Sequence, residues 1–379
     1  MPNLDIAMPI ALFATIMVAL YLNRRVEGKL MATVEKKEFK ARDIVLLAAF
    51  IVIMITAISY TAIFNPGGIT ESVLLVLFLS SYTMLLFTFS YVFSNTSRKR
   101  AQVISAGFGV ASLAFGFAGL TAPLSDAYTT LRIAVFFALA ICCFGIAAYM
   151  QKKPVVQKKG RWYLAAQPPA LFLSLIIFFN ILYGGAVEIW QPYLMDVFGF
   201  TFAVLIILYL SSLFNWKTVG IFAALLTVID IILVIGTGTM VTAAKQFTGL
   251  GLPVLVYLPN FPLIYNMEGL IQYRGLGLGD FFFAGILLVQ TYKKFGKKTA
   301  LAAASAMAVA FGIWEAYLSE VLAALEPIVG REIGGFPGTL MIICGWVPVV
   351  AVAWLLQKKN SAPSIKPAAV ETESSPNPQ

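Results

Sequence analysis

Apolar runs of about twenty residues alternate with short polar connections along most of this 379-residue chain. Eleven can be drawn, at approximately 4–22, 44–64, 73–93, 101–121, 131–150, 165–186, 192–214, 218–236, 277–292, 299–322 and 336–356. Eighteen or more apolar residues suffice to cross ~30 Å of hydrocarbon. Lipid offers backbone N–H and C=O groups no partner, so such runs must be helical. The pattern predicts an all-α polytopic membrane protein with about 9–11 transmembrane helices. The first run carries Asp5, lacks a basic leader and is followed by Asn23, Arg24 and Arg25. It therefore reads as a retained helix rather than a cleaved signal peptide.

Composition agrees. The chain is 60% hydrophobic and 12% charged, against about 25% charged in an average soluble domain. A net charge of +9 would suit a nucleic-acid partner, but the basic residues lie in clusters between apolar runs, and no nucleic acid is expected. One alternating set of connections holds 23 Lys and Arg; the opposite set holds four, Arg132, Lys245, Arg274 and Arg331. The positive-inside rule puts the richer set in the cytoplasm, with the N-terminus outside and the C-terminus cytoplasmic. The basic linker 151–161 divides the chain into residues 1–161, with about five spans, and 162–359, with the rest. The tail 360–379 is rich in Pro, Ser, Ala and Glu and predicted to be disordered. No internal repeat is visible, which weighs against an inverted-repeat transporter.

The chain has no histidine, which removes Cys/His metal sites and His-based catalysis. Its three cysteines, Cys142, Cys143 and Cys344, lie inside apolar runs, and no metal or cofactor is expected. Carboxylates remain as the acid–base groups. Asp230 lies within a run reading Leu225-Leu226-Thr227-Val228-Ile229-Asp230-Ile231-Ile232, and Asp280 follows Gly275-Leu276-Gly277-Leu278-Gly279. Asp230 is thirteen residues after Lys217, and Asp280 is thirteen before Lys293. At ~1.5 Å per residue both lie ~20 Å from the basic boundary, level with each other on helices of opposite direction. Two carboxylates held close in a low dielectric share one proton. Such a pair can take a proton from an attacking water and give one to a leaving nitrogen. A lone intramembrane Asp can instead cap a broken helix, bind an ion or pair with a Lys.

At these residues the chain resembles the signal peptide peptidase and presenilin family of intramembrane aspartyl proteases. Gly277-Leu278-Gly279-Asp280 matches the family's GxGD motif. From Asp230 the chain runs through Gly236-Thr237-Gly238-Thr239-Met240-Val241-Thr242-Ala243-Ala244-Lys245, similar to the segment after the first catalytic aspartate in signal peptide peptidases. Pro337-Gly338-Thr339 stands where the family's PAL motif belongs, with Gly and Thr in place of Ala and Leu; Ile229 replaces the usual Tyr. The resemblance covers about residues 218–350 and its orientation suits the signal peptide peptidase branch. It implies a presenilin-like helical bundle whose region 162–359 is catalytic. Asp230 and Asp280 would be the catalytic pair, and Gly277, Leu278, Gly279, Pro337, Gly338 and Thr339 would shape the site or engage substrate. The implied substrate is a transmembrane helix, such as a signal-peptide remnant or membrane-protein stub, which must unwind to be cut. A prokaryotic plasma membrane is the expected location, and the oligomeric state stays open.

Three other readings use the same residues: a prepilin-type peptidase, whose aspartates lie near the cytoplasmic surface; an ion- or proton-coupled transporter; and a catalytically inactive relative that binds membrane helices. Of the remaining polar residues, Glu188, Asp196 and Glu315 read as interfacial carboxylates, with Glu315 the deepest, and Asn180 as an interhelical hydrogen-bond partner. Phe281, Phe282 and Phe283 read as lipid-facing or packing residues. The stretch Leu252 to Ile264, broken by Pro253, Pro259 and Pro262, reads as a re-entrant or interfacial segment.

Overall fold

A backbone in lipid has only itself for hydrogen bonding. Each apolar run is accordingly helical in the computed structural model, which describes residues 5–33, 38–64, 69–118, 126–151, 158–182, 189–265 and 269–360. Glu188 and the tail expected to be disordered beyond Asn360 lie outside the described residues. The first five helices are α1 (Ala7–Thr33), α2 (Ala41–Phe64), α3 (Ile69–Phe93), α4 (Arg98–Ala118) and α5 (Asp126–Gln151). Helix α6 (Lys158–Ile176) is prolonged by a π-helical turn, Ile177–Ile181, and a kinked stretch, Ile189–Leu194, broken at Gln191 (φ −108°, ψ 128°), leads into α7 (Met195–Ser211). Then come α8 (Trp216–Ile231) with its own π-helical turn, Ile232–Gly236, and α9 (Thr239–Gly249). The last four are α10 (Leu278–Phe295), α11 (Lys297–Ala316), α12 (Leu318–Val329) and α13 (Gly338–Asn360).

Among the described residues, ten helices are long and apolar enough to cross a membrane. The outward faces are apolar too: Ile53, Met84, Val103 and Ile141 are between 65% and 72% exposed. A water-soluble surface would not show so many large aliphatic side chains. The chain is an integral, multi-pass, largely helical membrane protein.

The remaining expected span, 277–292, corresponds to α10, which is of another kind. It carries Asp280, Lys293 and Lys294, and residues 283–291 are all buried. Nine consecutive residues make two and a half turns, so no face of this stretch is left for lipid. It packs against α1, α7, α8, α11 and α13. Its polar side chains tie it to those neighbours at the basic end. Gln290 Nε2 donates to the Ser211 and Phe214 carbonyls at 3.1 and 2.8 Å, satisfying acceptors at the end of α7. Thr291 Oγ1 accepts from Trp346 Nε1 of α13 at 2.9 Å.

Two sequence expectations are revised. The run 299–322 is not one helix: Tyr317 adopts φ −103°, ψ 13°, ending α11 and starting the short α12, none of whose residues is buried. The segment from Leu252 to Ile264, expected to be re-entrant or interfacial, is half of a β-hairpin that an all-α expectation does not contain. Strand β1 (Leu255–Pro259) pairs antiparallel with β2 (Tyr273–Gly277), in the register Val256↔Leu276 and Leu258↔Arg274. Pro259 is the last residue of β1, where a missing N–H does least harm.

The ladder continues at both ends, with Leu278 N–H to Val254 C=O at 2.9 Å and Asn260 N–H to Gln272 C=O at 3.1 Å. The even-numbered residues of β2 thus face β1 in hydrogen-bonded pairs. Tyr273, Gly275 and Gly277 turn their N–H and C=O groups to the other edge. On β1, carboxylates serve the outward edge: Tyr257 N–H donates to Asp196 at 2.6 Å and Phe261 N–H to Asp5 at 2.8 Å.

Candidate active site

The start of α8 is fixed by a reciprocal cap. Asn215 Oδ1 accepts from the N–H groups of Lys217 and Thr218 at 3.1 and 3.0 Å, and Thr218 Oγ1 accepts from Asn215 N–H at 2.9 Å. Such a cap stabilises a helix start by about 1 kcal/mol. It also sets the register that carries Asp230 to the far end of α8. Helix α10 starts differently. Gly277 ends β2 in an extended conformation (φ −66°, ψ 143°) and passes straight into the helix, placing Asp280 in its first turn. A strand and a helix therefore meet three residues before the second aspartate. The two Lys in the last turn of α10 sit where the helix dipole favours positive charge.

The third contributor is the start of α13. Thr339 donates its hydroxyl to Asp230 Oδ2 at 2.7 Å and its backbone N–H to the same oxygen at 3.3 Å. One residue earlier, a Cβ on Gly338 would overlap the Asp280 carboxylate. Consecutive residues of one turn thus touch the two aspartates. Pro337, Gly338 and Thr339 are all buried, while both aspartates are half-buried. Pro337 leads α13 in, at a position where its lost N–H has no helical partner to miss.

The other predicted site residues are placed as follows. Leu278 is buried, and its N–H is used by the hairpin rather than by the aspartates. At Gly277 and Gly279 a Cβ would make only ordinary van der Waals contacts, with Asp280 Oδ2 at 3.5 Å and the Phe282 ring at 4.0 Å respectively. Phe281 and Phe283 are fully buried, Phe281 edge-on to Phe200 at 5.7 Å, so packing replaces the lipid-facing alternative for both. Asn180 does bond, to the Leu250 carbonyl at 2.8 Å, in the loop after α9. Cys142 and Cys344 are exposed and Cys143 is buried, all of them free thiols. An open apolar groove of about 630 Å³ lies between α3 and α6, and none of these residues lines it.

Two further groups have partners that the sequence reading did not anticipate. Arg331, in the turn after α12, donates to the Val234 and Ile235 carbonyls at 3.2 and 2.7 Å. These are acceptors that the π-helical turn after Asp230 leaves available. The guanidinium lies over Gly238, whose φ of +71° and missing Cβ let it approach. Arg331 thus clamps the end of the Asp230 helix from the same segment that delivers Thr339. Arg331→Gln removes both charge-assisted bonds and is expected to lower stability by about 2 kcal/mol, read as a thermal melt of the protein in detergent. The second group is Glu315, paired with Arg274 Nη1 of β2 at 3.1 Å rather than lying free at an interface. A lone Arg in a loop and a lone Glu near a helix end carry no pairing signal in sequence, because their partners are 97 and 41 residues away.

No protein-family model matches the chain, and no curated protein matches it.

Proposed function

We propose that this protein is an intramembrane aspartyl endopeptidase that hydrolyses peptide bonds of transmembrane segments, with Asp230 and Asp280 as its acid–base pair. The observation that carries the reading is the meeting of two carboxylates, from antiparallel helices, on one turn of a third. The chemistry needs nothing else from the chain. Thr339 occupies Oδ2 of Asp230, leaving Oδ1 open to a water. With one proton shared between the carboxyls, the ionised member takes a proton as water attacks the peptide carbonyl. The protonated member hydrogen-bonds the developing oxyanion, and a proton then passes to the leaving nitrogen as the C–N bond breaks.

The outward edge of β2, unpaired among the described residues, supports the reading of a peptide substrate. A helical peptide bond is shielded by its own hydrogen bonds, so the scissile region must be extended. An extended segment can pair with the outward N–H and C=O groups of Tyr273, Gly275 and Gly277, and this edge runs into Asp280 itself. The resemblance to signal peptide peptidases points the same way and names the substrate class as signal-peptide remnants or membrane-protein stubs. The placement of basic residues supports an N-terminus outside and a C-terminus in the cytoplasm. A single cysteine at Gly269, in an otherwise cysteine-free chain, is then labelled only from the outer side of sealed vesicles. Labelling from the inner side reverses the orientation.

The test of the activity is a proteoliposome assay on the purified chain with a single-span reporter. Appearance of two fragments cut within the span supports the protease. Ion-gradient-driven uptake into the same vesicles with an intact reporter supports the transporter instead.

A further inference from the structure

At the end of the bundle away from Lys217 and Lys293, three buried oxygens have no donor among the described residues: Asp5 Oδ2, Asn260 Oδ1 and Glu315 Oε2. Their residues are only 2%, 2% and 6% exposed. They belong to three separate parts of the chain: the residue pair before α1, the hairpin just past β1, and the last turn of α11.

Hydrogen bonds and the strand pleat bring the three residues to one end of the hairpin. Asp5 uses its other oxygen, Oδ1, to accept from Phe261 and Ala7 N–H at 2.8 and 3.0 Å, so it lies one residue along from Asn260. Asn260 pairs with Gln272 across the hairpin, one step beyond Pro259↔Tyr273 and two beyond Leu258↔Arg274. Side chains two apart on a strand share a face, so Asn260 stands on the face of Arg274, the residue that reaches Glu315 Oε1 at 3.1 Å. The charge of Asp5 also acts on Glu315.

With both carboxylates ionised, the cluster sets two buried negative charges against one partly exposed guanidinium, a net single negative charge. A water molecule would supply donors to two of the oxygens but leave that charge uncompensated, and an uncompensated buried charge is strongly unfavourable. Calcium takes six to eight oxygen ligands and a richer negative charge. Three hard oxygens and one surplus negative charge match a smaller demand. We propose that Asp5, Asn260 and Glu315 bind a hard monovalent cation of the sodium class. It would fasten the N-terminal end of α1 to the hairpin and to α11. The site does not depend on the protease reading.

The experiment is equilibrium binding of ²²Na⁺ to the full chain in lipid nanodiscs, in N-methylglucamine chloride buffer of constant ionic strength. Saturable binding near one ion per chain is expected, weakened about tenfold or more in Asp5→Asn and in Glu315→Gln. The Asn keeps an acceptor for Phe261 N–H, and the Gln keeps one for Arg274. Absence of saturable binding to the wild-type chain overturns the proposal, as does binding that both variants leave unchanged. Should the variants fail to fold, the wild-type melting temperature decides: it rises with sodium at fixed ionic strength if the cation binds. A melt that follows pH alone, at any sodium concentration, assigns the cluster to a shared proton and overturns the cation.

Discussion

Asp230→Asn and Asp280→Asn each reduce cleavage of a membrane-helix reporter by at least about 10⁴-fold, the scale seen when one member of an acid–base unit is removed, while the chain remains folded. An amide can neither take the proton from water nor hold the one that passes to the leaving group. The fold is expected to survive because each Asn keeps an oxygen in the same place. For Asp230→Asn, that oxygen still accepts from Thr339. Removing one of two neighbouring acidic groups also ends any repulsion between them. The measurement is initial cleavage rate in proteoliposomes beside a melt of the same preparation. Cleavage retained by either single variant, at more than a few per cent of wild type, refutes the shared pair. Loss of cleavage in a variant whose melting temperature has collapsed reports on the fold instead, and the double variant separates the cases. A pair acting as one unit loses no more activity in the double variant than in either single one.

Gly338→Ala is expected to have the second-largest effect. The added methyl overlaps the Asp280 carboxylate, which belongs to the first turn of an otherwise enclosed helix. Either Asp280 swings away from its present rotamer or α13 backs off and takes Thr339 from Asp230. Both outcomes displace a reacting group by about 1 Å, and a misplacement of that size costs on the order of 10²-fold in rate. The loss should fall on kcat, because substrate would still reach the β2 edge. Near-wild-type turnover by Gly338→Ala shows that Asp280 has room to move and that glycine is not required here. Alanine is the residue carried at this position by the PAL motif that the segment resembles, so the test also asks whether threonine at 339 has changed the geometry around it.

The spans were legible because lipid forces a simple pattern on sequence: a long apolar run has only one secondary structure open to it. The common depth of Asp230 and Asp280 was legible for the same reason, since Lys217 and Lys293 mark one boundary and helical rise is constant. The hairpin was not legible. Leu252 to Ile264 is nearly all apolar, and the alternation that marks a half-buried strand is hidden when both faces meet protein or lipid. Its pairing partner also reads as a loop, because Gly275 and Gly277 are poor strand formers. The break at Tyr317 was missed because no Pro or Gly announces it. Thr339 was placed at the site by resemblance, but its bond to Asp230 spans 109 residues and depends on how α13 packs. Arg331 had only its charge to recommend it.

The enclosure of α10 has a consequence for how the protein is made. Each charged residue adds up to about 3 kcal/mol to the free energy of leaving the translocon alone for lipid, and this helix has three, Asp280, Lys293 and Lys294. It also has no lipid-facing side on which to rest while waiting for neighbours. Synthesis delivers α1, α7 and α8 before it and α11 and α13 after it, and all five surround it in the finished bundle. Helix α10 therefore enters the bilayer as the filling of a partly assembled ring rather than as an independent segment. Chains truncated after Phe295 should leave it outside the hydrocarbon. The pair of carboxylates would then form only when the last helix closes over it, which keeps the nascent chain from carrying a finished site while still at the translocon.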